Sequence, residues 1–387
     1  MIAMPDRSPA LRVLLVARPD VYQGSGGDLV QIRKTAEYLR QLGHTVVITH
    51  HLRPDFRQYD VAHFFTLATW IQLKRATSYG IPHLLSPVYW DPAQAADHSR
   101  AESPLALRVL RRLAGRPDAA RGLAAHALAD IVRSFNYRTP VRDIAGTVAH
   151  RTRTRRRGRD VSYRDALETA QLLLPNAELE MRHIEQRFGI QRPYTVVPNG
   201  ADHQFFVRTS PRDWATRSGV LCVAARVNHR KNQALLISAL HGTGIPLTIV
   251  GRAYETEEKR YLDRCKEMAD STVSFVDHVD AKTLRSLYAS ARVHALMSWF
   301  ETPGLVSIEA AMAGCKVVAT REGTAEEYFA QHALYAPPDD VGAMRSTLLA
   351  AYTATWNSRL QDRCNRLYTW DRVARMTASA YGRLLAA

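Results

Sequence analysis

The stretch FETPGLVSIEAAMAGCKVVAT holds two glutamates, Glu301 and Glu309, eight residues apart. Two nearby carboxylates invite general acid and base chemistry, as in glycoside hydrolysis. They also suit the binding of hydroxyl-rich molecules. The pattern predicts a strand at 293–297, a loop, a helix ending at Gly314 and a second strand at 316–320. Glu301 then lies in the loop just before a helix N-terminus, and Glu309 lies more than a turn inside that helix. By 3.6-residue periodicity Leu305, Ile308, Glu309 and Met312 share one face, so Glu309 interrupts an apolar stripe. A buried carboxylate without a partner costs several kcal/mol. A partner is therefore expected, either a protein donor or a bound molecule rich in hydroxyls. An ordinary salt bridge is the plainer alternative.

A predicted strand at 219–225 runs into Arg226-Val-Asn-His-Arg-Lys231-Asn. An arginine and a lysine five residues apart in a strand-to-helix loop suit a diphosphate. The guanidinium bridges two phosphate oxygens and the ammonium adds a point charge. With a helix N-terminus at Gly304-Leu305 they make a metal-free diphosphate cradle. Nearer the start, Gln23-Gly-Ser-Gly-Gly-Asp28 follows the first strand and opens the first helix. It looks like a dinucleotide fingerprint, but the last position of GxGxxG is Leu29. The second strand also ends in Thr49-His50-His51, with no acid for a ribose. Gly26 and Gly27 would still let a backbone approach a ligand at a helix N-terminus, or simply make a tight turn. The sequence contains no DxD, HExxH, GxxxxGK[ST] or GxSxG. Zinc protease, P-loop NTPase and serine hydrolase readings therefore lack support, and no metal is expected.

At 387 residues the chain exceeds one ordinary core, which predicts two domains. No run approaches the ~20 apolar residues of a membrane span, and the first residues read as a strand rather than a signal peptide. Cys222, Cys265, Cys315 and Cys364 are scattered without CxxC spacing. That argues against a zinc or disulfide framework and fits a reducing, cytoplasmic setting. The net charge of +15 is concentrated, with 15 arginines against 5 acids between Arg100 and Asp160. A helix is expected from Ser103-Pro104 to Gly115, with Arg108, Arg111 and Arg112 opposite an apolar face. Such a helix suits anionic lipid or a phosphorylated acceptor, or is an ordinary surface helix. The run Arg151 to Arg159 reads as a mobile loop able to touch lipid or polyanion. It lacks the interleaved aromatics of a stacking platform, so nucleic acid is not expected as the main partner.

Two alternating strand and helix patterns meet near residue 200. In the first, strands are expected at 11–17, 45–49, 61–64, 83–85, 171–174 and 195–197, with a helix at 28–42. In the second, helices at 233–240, 257–268 and 281–290 alternate with strands at 219–225, 247–250 and 273–275. Such alternation means parallel sheets covered on both faces. Ligands bind such sheets at the carboxyl ends of strands.

These features together resemble glycosyltransferase family 4, retaining enzymes of the GT-B fold that use a nucleotide-sugar donor without metal. The resemblance rests on Gly26-Gly27, Tyr59-Asp-Val-Ala-His63, Val197-Pro-Asn-Gly-Ala-Asp202, Arg226 with Lys231, Val250-Gly251 and Glu301 with Glu309 as an E-x7-E motif. The tail Thr369-Trp370 through Tyr381 is similar to the family's closing helix, which crosses back to the first domain. It implies an α/β chain of two Rossmann-like domains facing across a cleft. Residues 1–200 would bind the acceptor, 201–368 the nucleotide sugar, and 369–387 would pack back on the first domain. In such a protein Arg226 and Lys231 hold the donor diphosphate, Glu301 the sugar hydroxyls and Glu309 the ribose. Gly251, Thr302, Gly304 and Leu305 line the donor, with Gly26 and Gly27 approaching from the other side. The family has Gly-Phe where this chain has Thr302-Pro303, which removes one N–H toward the sugar. Its first-domain histidine has no clear counterpart, so His63, Tyr89, Trp90 and Asp91 are the acceptor-side candidates. The implied activity is transfer of a sugar to a glycan, lipid-linked or other hydroxyl acceptor, as in polysaccharide biosynthesis. The nucleotide sugar is a co-substrate and no further cofactor is expected. A peripheral contact with anionic membrane through the Arg-rich segment goes with it. The alternatives are a nucleotide-sugar epimerase or glycosyl phosphorylase of the same fold, a non-catalytic sugar-nucleotide-binding subunit, or a polyanion-binding protein.

Overall fold

Short β-branched runs alternating with helices build two all-parallel sheets, one in each of two units. The computed structural model describes residues 9–21, 26–90, 126–128, 130–131, 134 and 140–386. The helix expected at 103–115 and the candidate Asp91 lie outside the described residues. One unit comprises Met1–Tyr89, Ala106–Pro198 and Trp370–Ala387, and the other Trp90–Leu105 and Asn199–Thr369.

In the first unit β1 (Arg12–Val16), β2 (Thr45–Thr49), β3 (Val61–Phe65), β4 (His83–Ser86) and β5 (Leu172–Leu173) stand in the order β2-β1-β3-β4-β5. The central β3 is buried at every residue, while edge strand β2 exposes Val47 and Ile48. The helix α1 (Gly27–Gln41) buries Ile32, Ala36 and Leu39 and stops before Gly43, which takes a φ of +93°. Where a strand was expected at 195–197, only an extended segment runs beside β5. Thr195 donates its N–H to Leu173 at 2.9 Å and Val197 to Pro175 at 2.9 Å.

The Arg-rich run is helical, which corrects the loop expectation. With α2 at Trp70–Ser78, the run ends α3 (Val141–Arg157), and after Gly158 the chain continues as α4 (Arg159–Thr169). Arginine is a good helix former, and side chains four apart share one face. Arg151 and Arg155 both reach Asp130, and Arg151 also reaches Asp20 at 2.7 Å. Arg157 pairs with Asp165, and Thr154 accepts from the indole of Trp70 at 3.0 Å. Internal partners on one face hold the run against the unit, while Arg153 and Arg156 stay exposed. No helix among the described residues is long and apolar enough to cross a membrane.

The helix Trp370–Ala386 belongs to this first unit and packs on α1. Its Tyr381 hydroxyl lies 2.8 Å from Nδ1 of buried His63, whose Nε2 lies 2.9 Å from Ser86 Oγ. Burial pushes His63 down to about 3, so the ring is neutral.

In the second unit β6 (Ser218–Arg226), β7 (Leu247–Arg252), β8 (Val273–Val276), β9 (Ala291–Leu296), β10 (Lys316–Ala319) and β11 (Leu334–Tyr335) stand in the order β11-β10-β9-β6-β7-β8. The chain runs outward from β6 to β8, then returns to β9 on the other side. The topological switch point therefore lies between β6 and β9. Ligands bind such sheets there, beyond the carboxyl ends of the strands. Both loops carrying the candidate charges leave from these two strands.

Tyr381→Phe should cost about 1–3 kcal/mol, because it removes one partner from a buried imidazole nitrogen. Urea unfolding should show an earlier transition.

Candidate active site

Strand β6 hands the chain to a short 3-10 turn, His229–Lys231, and then to α5 (Gln233–Leu240). Asn228 shapes the turn, its Oδ1 accepting from the Lys231 N–H at 3.2 Å. Asn232 follows in the left-handed region at φ 57°, which asparagine tolerates. Its buried side-chain amide donates to the carbonyls of Met297 at 3.1 Å and Pro338 at 2.7 Å. Trp299 also donates its N–H to the Arg230 carbonyl at 3.0 Å. The loops after β6 and β9 are thus laced together.

Glu301 is fixed from its own side. Its N–H donates to Glu322 at 3.1 Å, and its carbonyl accepts from Thr324 at 3.0 Å. Between these two, a Cβ on Gly323 would stand 2.0 Å from the Glu301 carbonyl, and φ there is +114°. The outcome is a direct ion pair between Lys231 Nζ and Glu301 Oε2, with Ser298 Oγ donating to the same oxygen at 3.0 Å. Their side chains are 10% and 12% exposed, so water hardly screens the pair. Burial draws Lys231 below its ordinary value. It would push Glu301 up, but Lys231, Arg230 and Ser298 override it and hold the carboxyl below 4.5. The two displacements oppose one another in origin, and the contact geometry makes pairing decisive. The pair is ionic at neutral pH.

Arg226 ends β6, and its Nη1 donates to Glu258 at 2.9 Å. Glu258 sits in the first turn of α6 (Thr256–Met268), where it also accepts from the N–H groups of Tyr254 and Glu255. Asn228 donates at 3.2 Å to Glu258 Oε1, the oxygen that Arg226 also contacts. A chain of hydrogen bonds therefore runs from Arg226 through Glu258 and Asn228 to the backbone of Lys231. Gly251 has a packing role, since a Cβ there would stand 2.3 Å from the Ala224 carbonyl.

After Glu301 the chain passes half-buried Thr302 and buried Pro303 to Gly304, the N-cap of α8 (Leu305–Met312), where α7 is Ala281–Ser290. Gly304 has φ +81°, and a Cβ on it would stand 3.1 Å from Glu301 Cγ. No side chain caps this N-terminus. The opposite end is closed: Arg217 donates to the Ala313 carbonyl at 2.9 Å and Gln361 to that of Met312 at 2.8 Å. Glu309, half-buried inside α8, accepts from the Tyr288 hydroxyl of α7 at 3.1 Å. Burial, with Glu309 adding to it, raises Tyr288 well above its ordinary value, so it remains a donor.

The remaining candidates are placed differently. Gly26 caps α1, and a Cβ there would stand 2.5 Å from an oxygen of Asp28, whose carboxylate pairs with Arg18 at 2.6 Å. His63 and Tyr89 are core residues, 2% and 5% exposed. Tyr89 packs edge-on against Phe188. Trp90 is assigned to the second unit, where its ring lies under the Arg230 guanidinium at 5.6 Å. Sequence reasoning passed over Ser298, Asn228, Glu258, Tyr288 and Arg217. Only Glu258 left a signal, the acid three residues after Glu255 that marks a capping box.

Residues 217–354, which hold Arg226, Lys231, Glu301 and Glu309, match the family Glycosyl transferases group 1. This segment is similar to the group 1 glycosyltransferases. The chain is 30% identical to a glycogen synthase of Mycobacterium tuberculosis over 202 residues. The match covers 48% of each chain, so it spans about half the length of that curated relative. Its fold is that of sucrose-phosphate synthase from Thermosynechococcus elongatus, with a TM-score of 0.69 at 16% identity, covering 97% of this chain and 99% of the other. Anabaena HepE, solved in complex with UDP-glucose, gives 0.65 at 16% identity over 96% and 100% of the two chains. The GT-B expectation of two Rossmann-like domains holds for this chain.

An acid with a depressed folded-state pKa stabilises the fold above its unfolded value and loses that contribution as pH falls through the folded value. Glu301→Gln should therefore be less stable than wild type at pH 7. The difference should shrink on acidification below 4.5, the ordinary value of this carboxyl. Thermal unfolding across pH checks this; a gap independent of pH would show that the charge is not what stabilises.

Proposed function

We propose that the protein transfers a glycosyl group, with retention, from a nucleotide-sugar donor to a hydroxyl acceptor. The observation that carries this reading is the Lys231–Glu301 pair at the β6–β9 switch point, beside the uncapped start of α8. Lys231 offers a charge to a donor phosphate, and the N–H groups of the first turn of α8 add the positive pole of a helix. Arg226, braced by Glu258, supplies planar donors to the same diphosphate. Glu301 binds sugar hydroxyls, and Glu309, steadied by Tyr288, binds those of the ribose. UDP-glucose bound to HepE makes uridine diphosphate sugars the first donors to examine.

In the reaction the bond between the anomeric carbon and the diphosphate oxygen breaks, and one to the acceptor oxygen forms on the same face. The acceptor proton passes to the departing phosphate. Charge develops on that phosphate, where preorganised cations stabilise the transition state more than the ground state. The exposed Arg153 and Arg156 of α3 favour an anionic acceptor, such as a glycan carried on a lipid phosphate. They also suit peripheral contact with an anionic membrane.

Thermal shift with UDP-, GDP-, dTDP- and ADP-sugars, followed by assay of donor hydrolysis, tests the proposal. One nucleotide class should protect the protein; protection by none would sink it. Lys231→Ala should lower turnover about 100-fold or more, the scale for losing one charge-stabilising donor. Glu309→Gln should weaken donor binding about 10-fold while leaving the unfolding midpoint of the free protein within a few degrees. Unchanged donor affinity and turnover in both variants would remove these residues from the site.

A further inference from the structure

In an extended strand, neighbouring side chains point to opposite faces. His50 and His51 directly follow β2, yet their rings converge, with centroids 4.8 Å apart and planes tilted by 30°. The His51 N–H donates back to Thr49 Oγ1 at 3.3 Å. Facing them is Asp143 in the first turn of α3, its carboxylate 3.1 Å from His50 Nε2. One ligand atom from each of the three residues lies within 4.8 Å of the other two.

We propose that His50, His51 and Asp143 form a binding site for a divalent transition metal, with zinc as the best fit. Two imidazoles and one carboxylate are an N/O set that zinc accepts, with water in the fourth position. At zinc bond lengths of ~2.0–2.1 Å, tetrahedral neighbours stand about 3.4 Å apart. The His50–Asp143 separation already approaches that value. The third ligand, His51, is exposed, and its ligand atom lies within 4.8 Å of the other two. The side chains of His50 and Asp143 are 14% and 3% exposed, so the two inner ligands are held by their surroundings. An ordinary histidine–aspartate bond uses two of these residues and gives no reason for the approach of His51. The ion would staple the carboxyl end of β2 to the head of α3, the helix that carries the arginine run. All three ligands belong to the first unit, and none is among the residues assigned to the donor.

The test uses the full chain, treated with EDTA, desalted and titrated with zinc chloride. Bound metal is counted by mass spectrometry after a second desalting, and Tm is followed by scanning fluorimetry. One zinc per chain and a rise in Tm of roughly 3 °C or more are expected. His51→Gln and Asp143→Asn should each abolish both. His51→Gln changes an exposed side chain and should keep the wild-type circular dichroism, so the test stands even if Asp143→Asn folds poorly. Zinc retained by His51→Gln, or none retained by wild type, overturns the site. Zinc retained only together with uridine diphosphate would place the ion at the donor and overturn it equally. Failure of zinc to bind leaves nucleotide protection unaffected, so the two readings fail separately.

Discussion

One buried ion pair sets the geometry of the second unit. Lys231 and Glu301 are 70 residues apart in sequence and lie on loops from adjacent strands. Removing one partner of a buried pair leaves an uncompensated charge at a cost of roughly 3–5 kcal/mol. The pair therefore requires that both loops be held at fixed height and register. The lacing through Asn232, the Trp299–Arg230 bond and the close approach of Gly323 to the Glu301 carbonyl all serve that requirement. The rigidity has a chemical use as well. Charges already in place need no reorganisation when a transition state develops, which is where electrostatic catalysis has its advantage.

Much of this was legible in the sequence because it depends on local rules. The 233–240 and 281–290 helices follow from apolar periodicity, and the observed elements coincide with those ranges. A partner for Glu309 was expected from its place in an apolar stripe, and Tyr288 supplies one. The identity of that partner was out of reach, since Tyr288 is 21 residues away and ordinary in context. Gly251 is expected to line the donor, and the carbonyl of Ala224 on the neighbouring strand leaves no room for a side chain there. His63 is an acceptor-side candidate by resemblance, and its buried, neutral ring bridges Ser86 and Tyr381. In each case the deciding neighbour comes from a distant part of the chain.

The strong positive charge gives the same lesson in a different form. A composition with 52 lysines and arginines suggests a large electrostatic surface. Several of these cations are structural cross-links. Arg18 and Arg151 converge on Asp20, which burial would push up and which these guanidiniums hold well below the usual carboxylate range. Arg217 is 5% exposed and seals the carboxyl end of α8. Arginine suits this role because its planar fork presents five donors in fixed directions. The charge available to an acceptor or a membrane is correspondingly smaller than the formal net value.

The bond between His63 and Tyr381 spans 318 residues, and the helix that carries Tyr381 covers α1. The first unit therefore closes over a segment synthesised long after its sheet. On a ribosome adding about 5–20 residues per second, β1 to β5 would wait many seconds with the α1 face uncovered while the entire second unit emerges. The later unit can complete a contiguous core first, and the earlier one must remain unaggregated until its last helix arrives.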